Sequence, residues 1–107
     1  MNIAPFPLVA VAVLLLASPA TAAEVNVDQA GQKFAPSQVT LKAGDTVNFL
    51  NSDDVNHNVT VIDSAGNADD RGIQNPGTTV PVKFAAPGEY TIRCSVHPRM
   101  KMQIKVE

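Results

Sequence analysis

Hydrophobic and polar residues alternate in short runs from residue 25 to the end of the chain. The apolar residues that share one parity within these runs are Val25 and Val27, Val39 and Leu41, Val47 and Phe49, Val59 and Val61, Val80, Val82 and Phe84, Tyr90, Ile92 and Cys94, and Ile104 and Val106. A period of two is typical of half-buried β-strands, and none of these runs shows a helical period. Short strands separated by Pro/Gly turns therefore predict an all-β fold, an antiparallel sandwich or barrel.

Three segments carry less regular patterns. The first run, at residues 25–27, predicts an edge strand. Phe34 is an isolated large apolar residue just before a proline, and we expect it to plug one end of the core. Residues 63–77 are rich in Gly, Asn, Asp and Pro, which predicts a long loop with a short helical turn or an edge strand around Ile73.

The start of the chain has a different composition. Residues 3–17 are apolar and contain no charged side chain, and small residues follow with the spacing that signal peptidase requires. This pattern predicts a signal peptide over residues 1–23, cleaved near Ala22 or Ala23, and a single domain over residues 24–107. We therefore expect a periplasmic protein with no membrane attachment after cleavage. A transmembrane anchor is disfavoured because the apolar run is short and interrupted by prolines.

Composition excludes several classes of function. The net charge is −2 and the chain has no Trp and one Tyr, so it lacks the basic patch and the stacking platforms of nucleic-acid-binding proteins. The acidic pairs Asp53-Asp54 and Asp69-Asp70 are expected to be solvated loop charges. The chain has one cysteine, which cannot form an internal disulfide and is a candidate for intermolecular pairing, a reactive role or metal binding.

The neighbours of that cysteine favour a metal. Cys94 is followed by His97, Met100 and Met102 on one short segment, and His57 is the only other histidine in the chain. A thiolate, imidazole nitrogens and a thioether together are typical of a copper site that cycles between Cu(I) and Cu(II). Cys94 and His97 do not indicate an enzyme, because a Cys-x2-His pair on one loop supplies no separate orienting group for a nucleophile.

Around this motif the chain resembles the cupredoxins, most closely amicyanin, pseudoazurin and plastocyanin. The resemblance rests on Phe34-Ala-Pro36, Val39-Thr-Leu-Lys-Ala-Gly44-Asp45-Thr-Val47, Asn51 ahead of His57-Asn58-Val59, Pro87-Gly88-Glu-Tyr90-Thr-Ile-Arg-Cys94, and His97-Pro98. It implies a Greek-key β-sandwich with one type 1 copper site over residues 24–107. It further implies that His57, Cys94 and His97 are ligands. Asn58 resembles the asparagine that ties the two ligand loops together and donates to the cysteine sulfur.

The resemblance also implies an axial methionine, for which there are two candidates. Met100 lies three residues after His97, as in amicyanin, and Met102 lies five residues after it, as in plastocyanin and pseudoazurin. The family places apolar residues four and six positions after this methionine. Counting from Met100 gives Ile104 and Val106, whereas counting from Met102 gives Val106 and then a position beyond the last residue. We therefore favour Met100 and keep Met102 as the alternative.

These patterns together predict a periplasmic blue copper protein that shuttles single electrons. Its expected partners are redox proteins of the dehydrogenase or cytochrome c type, which dock transiently near His97, and the protein is expected to be a monomer. The alternative is a periplasmic copper carrier or storage protein, which would have to exchange its metal readily. A zinc-binding structural domain is a third hypothesis, disfavoured because copper binds such ligands more tightly than zinc.

Overall fold

The computed structural model describes residues 21–107 together with residues 4, 5 and 7. Most of the predicted signal peptide, residues 1–23, lies outside the described residues. Within the part of the chain that is described, no helix is long and apolar enough to cross a membrane.

Nine β-strands make up the domain, and residues 21–107 contain no helix. The strands are β1 (Glu24–Ala30), β2 (Lys33–Ala35), β3 (Gln38–Leu41), β4 (Thr46–Asn51), β5 (His57–Ile62), β6 (Ala68–Gln74), β7 (Thr79–Lys83), β8 (Gly88–Arg93) and β9 (Lys101–Val106). They form a four-stranded sheet in the order β2-β1-β4-β7 and a five-stranded sheet in the order β3-β9-β8-β5-β6. The predicted all-β sandwich is confirmed.

Both sheets are mixed, so the expectation of a purely antiparallel arrangement is wrong. β1 pairs with β4 in parallel and β3 pairs with β9 in parallel, while the remaining pairs are antiparallel. β1 as a whole lies between β2 and β4, but only Asp28, Gln29 and Ala30 pair with β2. Residues 25–27 pair with β4 alone, so this part of β1 is at an edge, as predicted. Alternation reports which face of a strand is buried, but it carries no information about the neighbours on either side of the strand.

The core lies between the two sheets and is built from the inward positions of their strands. In β9, Met102, Ile104 and Val106 are buried, and the residues between them are exposed. Phe34 is buried as expected, but it belongs to the short strand β2 and packs edge-on against Phe49 with ring centroids 6.2 Å apart. This edge-to-face geometry is favourable for aromatic pairs and closes the β2 side of the core.

Residues 63–77 contain the edge strand β6, as one of the two predictions for this segment had it. β6 is longer than expected and pairs with β5 on the outside of the five-stranded sheet. Six of its seven residues are exposed, and they include Asp69, Asp70 and Arg71. Charged residues on an edge strand discourage pairing with other chains. Because these residues are polar, the strand also shows no hydrophobic alternation in the sequence.

Candidate metal centre

His57 opens strand β5 and is held there by the loop that precedes it. Asn51 closes this loop: its Oδ1 accepts the Asp53 N–H at 3.0 Å, and its Nδ2 donates to Val55 O at 3.0 Å and to Gln74 O at 3.1 Å. Asparagine favours such side chain-to-backbone bonds, which replace a regular ladder where the chain turns. The His57 ring is consequently fully buried at one end of the sandwich.

Cys94 and His97 lie on the loop between β8 and β9. The Met100 N–H donates to His97 O at 2.9 Å, and the Cys94 N–H donates to Met100 O at 3.3 Å. These bonds close the loop tightly just beyond the Arg93–Lys101 pair, where the two strands separate. Cys94 is buried, whereas His97 is half-buried.

Three donor atoms from these two loops converge. His57 Nδ1 lies 3.2 Å from His97 Nδ1, and Cys94 Sγ lies 3.9 Å and 3.8 Å from these two nitrogens. A point equidistant from the three atoms is about 2.1 Å from each, close to the metal–nitrogen and metal–thiolate bond lengths of roughly 2.0 and 2.3 Å known for zinc. The donor set and its spacing fit one metal ion, and a His₂Cys trigonal set is that of type 1 copper.

The outer nitrogen of His57 is engaged by a carboxylate. His57 Nε2 lies 2.6 Å from Asp53 Oδ2. Since an ionised carboxylate only accepts hydrogen bonds, Nε2 carries the proton and Nδ1 presents its lone pair to the metal position. Desolvation raises the pKa of Asp53, but the hydrogen bonds from the Gln32 N–H, from His57 and from the Gly31 N–H together lower it below its ordinary value.

Asn58 connects the two ligand loops. Its backbone N–H donates to Cys94 Sγ at 3.2 Å, and its Oδ1 accepts the Ser95 N–H at 3.1 Å. Its Nδ2 donates to Asp70 Oδ1 at 2.6 Å and to Gly72 O at 2.9 Å. The contact with the sulfur therefore comes from the backbone of Asn58, while its side chain holds the cysteine loop and strand β6 in place.

The two methionines lie in different settings, although both are buried. Met100 belongs to the ligand loop, and its backbone bonds to Cys94 and His97. Met102 lies in β9 opposite Ile92, and both methionines belong to the hydrophobic core cluster.

Two acidic residues of this region have contacts that were not predicted, because both acidic pairs were expected to be solvated loop charges. Asp53 is only 14% exposed and contacts His57, and Asp70 bonds the Asn58 side chain. Their neighbours are solvated as expected, since Asp54 is exposed and Asp69 forms an exposed ion pair with Arg71, although Asp69 lies in strand β6 and not in a loop. The i, i+4 spacing of Asp53 and His57 is a weak hint, because a loop does not bring such positions together in the way that a helix does.

The chain is similar in sequence and in structure to known copper-binding proteins. The sequence profile of the copper-binding proteins of the plastocyanin/azurin family matches residues 21–107. Amicyanin-alpha from Methylorubrum extorquens is 35% identical over 94 residues, which cover 84% of this chain and 76% of that protein. The chloroplastic plastocyanin of Chlamydomonas reinhardtii is 32% identical over 113 residues, covering 98% of this chain and 78% of that protein. The Cu(I) structure of a methionine-to-alanine mutant of amicyanin superimposes with a TM-score of 0.72 at 26% identity, covering 78% of this chain and 82% of that one.

Proposed function

The chain belongs to the plastocyanin/azurin family of copper-binding proteins, and we propose that it is a periplasmic type 1 copper protein that carries single electrons between redox partners. The observation that carries this proposal is the convergence of His57 Nδ1, Cys94 Sγ and His97 Nδ1 on one point. Copper bound there supplies a one-electron couple between Cu(I) and Cu(II).

In this proposal each side chain has a separate role. His57, Cys94 and His97 are the equatorial ligands, and Met100 is the axial ligand. Met100 is favoured over Met102 because its backbone is part of the bonds that close the ligand loop, whereas Met102 lies in strand β9 opposite Ile92. A long, weak thioether contact tunes the potential of such sites.

The protein contributes a frame that changes little when an electron arrives. The bond from the Asn58 N–H to Cys94 Sγ and the bond from the Ser95 N–H to Asn58 Oδ1 tie the two ligand loops to each other. Ligands held on separate, mutually bonded loops keep similar positions in both oxidation states, which favours fast electron transfer. The same rigidity disfavours the alternative of a copper carrier, which has to release its metal.

The half-buried edge of His97 is the proposed point of electron entry and exit. Exposed apolar side chains lie close to the site in the sequence or in the strand register. Val96 precedes His97, Val55 lies two residues before His57, and Ile73 is paired with Asn58. A small apolar surface suits transient docking of a redox protein, such as a dehydrogenase or a c-type cytochrome, onto a monomeric carrier.

Export and processing are further parts of the proposal, and the contacts of Ala23 favour one of the two expected cleavage sites. The Ala23 N–H donates to Asp45 Oδ1 at 2.9 Å, and Ala23 O accepts the Thr46 N–H at 3.0 Å. Cleavage after Ala22 would leave a free α-ammonium group facing the Asp45 carboxylate, whereas cleavage after Ala23 would remove both bonds. The intact mass of the protein isolated from the periplasm should therefore correspond to a chain that begins at Ala23. A chain that begins at Glu24 would contradict this assignment.

The function itself is tested by absorption spectroscopy of the copper-loaded, oxidised protein. We expect an intense visible band from Cys94 thiolate-to-copper charge transfer, and we expect Cys94→Ser to abolish it. Serine is similar in size to cysteine, so this variant removes the thiolate with little change in packing. Ser95→Ala, on the same loop, is the control and should remain blue. A colourless oxidised copper protein would refute the type 1 assignment. A blue protein that loses copper to a chelator within seconds would favour the carrier function instead.

A further inference from the structure

We propose that Asp53 is a positioning residue of the metal centre, whose carboxylate holds the His57 imidazole with its proton on Nε2 and anchors this ligand to the turn between β1 and β2. The inference rests on the proposed function in so far as it takes His57 to be a ligand. It assigns a task to a residue that the sequence patterns had placed among the solvated charges.

The first support is the contact itself. The distance of 2.6 Å between His57 Nε2 and Asp53 Oδ2 is short, the His57 side chain is fully buried, and the Asp53 side chain is 14% exposed. A charge-assisted bond with so little access to water is stronger than a bond at the surface. A buried Nε2–H without this acceptor would lack a partner, so the bond also selects the ring orientation.

The second support is that the carboxylate is itself held from another part of the chain. The Gly31 N–H donates to Asp53 Oδ1 at 2.6 Å, and the Gln32 N–H donates to Asp53 Oδ2 at 2.9 Å. The Asp53 N–H in turn donates to Asn51 Oδ1 at 3.0 Å. Asp53 is thus fixed from both sides before it meets the imidazole, which is what a group that orients a ligand requires.

The turn that holds the carboxylate is unusual in a way that agrees with this role. Gly31 and Gln32 form the two-residue connection between the paired residues Ala30 and Lys33, and their φ angles are 60° and 56°. Two successive positive φ angles are those of a type I′ hairpin turn. Glutamine is disfavoured at positive φ, and the bonds to Asp53 offset part of that strain by satisfying the N–H groups of both turn residues.

The chemical consequence follows from the charge of Asp53. A carboxylate that accepts from the outer nitrogen of an imidazole raises the basicity of the inner nitrogen, and such partners typically change metal affinity by about 10- to 100-fold. A stronger nitrogen donor stabilises Cu(II) more than Cu(I). Asp53 should therefore tighten metal binding and lower the reduction potential.

The test compares Asp53→Asn and Asp53→Ala with Asp54→Asn and Asp54→Ala. Asp54 is the adjacent, exposed aspartate, so the controls remove the same formal charge next to the site but leave His57 untouched. Asparagine at position 53 should raise the potential and weaken copper binding by about 10- to 100-fold relative to its control. Alanine at position 53 should in addition remove the preference of His57 for one tautomer. Nitrogen NMR of the metal-free protein at neutral pH should show the His57 proton on Nε2 in the wild type and a mixture of tautomers in Asp53→Ala.

If Asp53→Ala does not fold, the same measurements can be made in a Gln32→Gly background. Glycine relieves the positive φ at position 32 and so reduces the dependence of the turn on Asp53. The proposal is overturned if Asp53 and Asp54 variants show equal potentials, affinities and tautomers, or if Asp53 variants lose only stability. A wild-type protein without a thiolate charge-transfer band would refute the proposed function. It would leave the tautomer of His57 in the metal-free protein readable, so the two failures are distinguishable.

Discussion

Replacing Asn58 by alanine is expected to destabilise the protein even when no metal is bound. The Asn58 side chain is buried and forms four hydrogen bonds, two as a donor to Asp70 Oδ1 and Gly72 O, and two as an acceptor from the Ser95 N–H and Thr60 Oγ1. A typical net contribution of about 1 kcal/mol for each bond would give roughly 4 kcal/mol. Asp70 and Gly72 are exposed and regain water after truncation, so we expect a loss of about 2–3 kcal/mol.

A loss of this size is a large part of the stability of a small domain, which is about 5–15 kcal/mol. It should lower the Tm of the metal-free protein by roughly 10–20 °C. Urea denaturation of metal-free Asn58→Ala measures the free energy of unfolding. Asn48→Ala is the matched control, because Asn48 makes one exposed side-chain bond, to Asn26, on the other sheet. If the two variants differed by less than about 0.5 kcal/mol, which is the usual range of surface substitutions, the structural role of Asn58 would be refuted.

Two further predictions concern the axial ligand and acid stability. Met100→Gln should change the potential and the electron paramagnetic resonance spectrum of the copper protein markedly, whereas Met102→Leu should change them little; the reverse pattern would assign the axial position to Met102. Hydrogen bonds from the Lys42 N–H and from the Ala23 N–H hold the pKa of Asp45 below its ordinary value. The ionised carboxylate of Asp45 therefore stabilises the fold above its ordinary pKa, and this stabilisation is lost as pH falls through the lower pKa of the folded state. Asp45→Asn should therefore destabilise the protein at neutral pH and make its free energy of unfolding depend less on pH below about pH 4. Urea denaturation at several pH values measures this dependence. If the free energy of unfolding fell equally steeply with pH in the two proteins, this role of Asp45 would be contradicted.

Local patterns were sufficient for most of the strands. In β4, β7 and β9 the inward residues alternate strictly with outward ones, because these strands bury one face against the core and leave the other in water. Alternation did not predict β6, because nearly all of its side chains are exposed and its sequence therefore shows no pattern of buried and exposed positions. β5 was recognised from Val59 and Val61, although His57, Asn58 and Val59 are buried in succession where the ligand loops cover its first residues.

The sequence by itself also predicted the donor residues of the candidate metal centre. Cys94 and His97 are three positions apart, and His57, the only other histidine in the chain, was predicted as the third donor; the structure places all three donor atoms together. Only the tertiary structure decided what surrounds these donors. The parallel pairing of β1 with β4 and the chain path through the β1–β2 turn bring Gly31 and Gln32 to the Asp53 carboxylate, more than twenty residues away along the chain. Such a contact leaves no periodic trace in the sequence, because it depends on how separate strands meet in space and not on the spacing of residues along one of them.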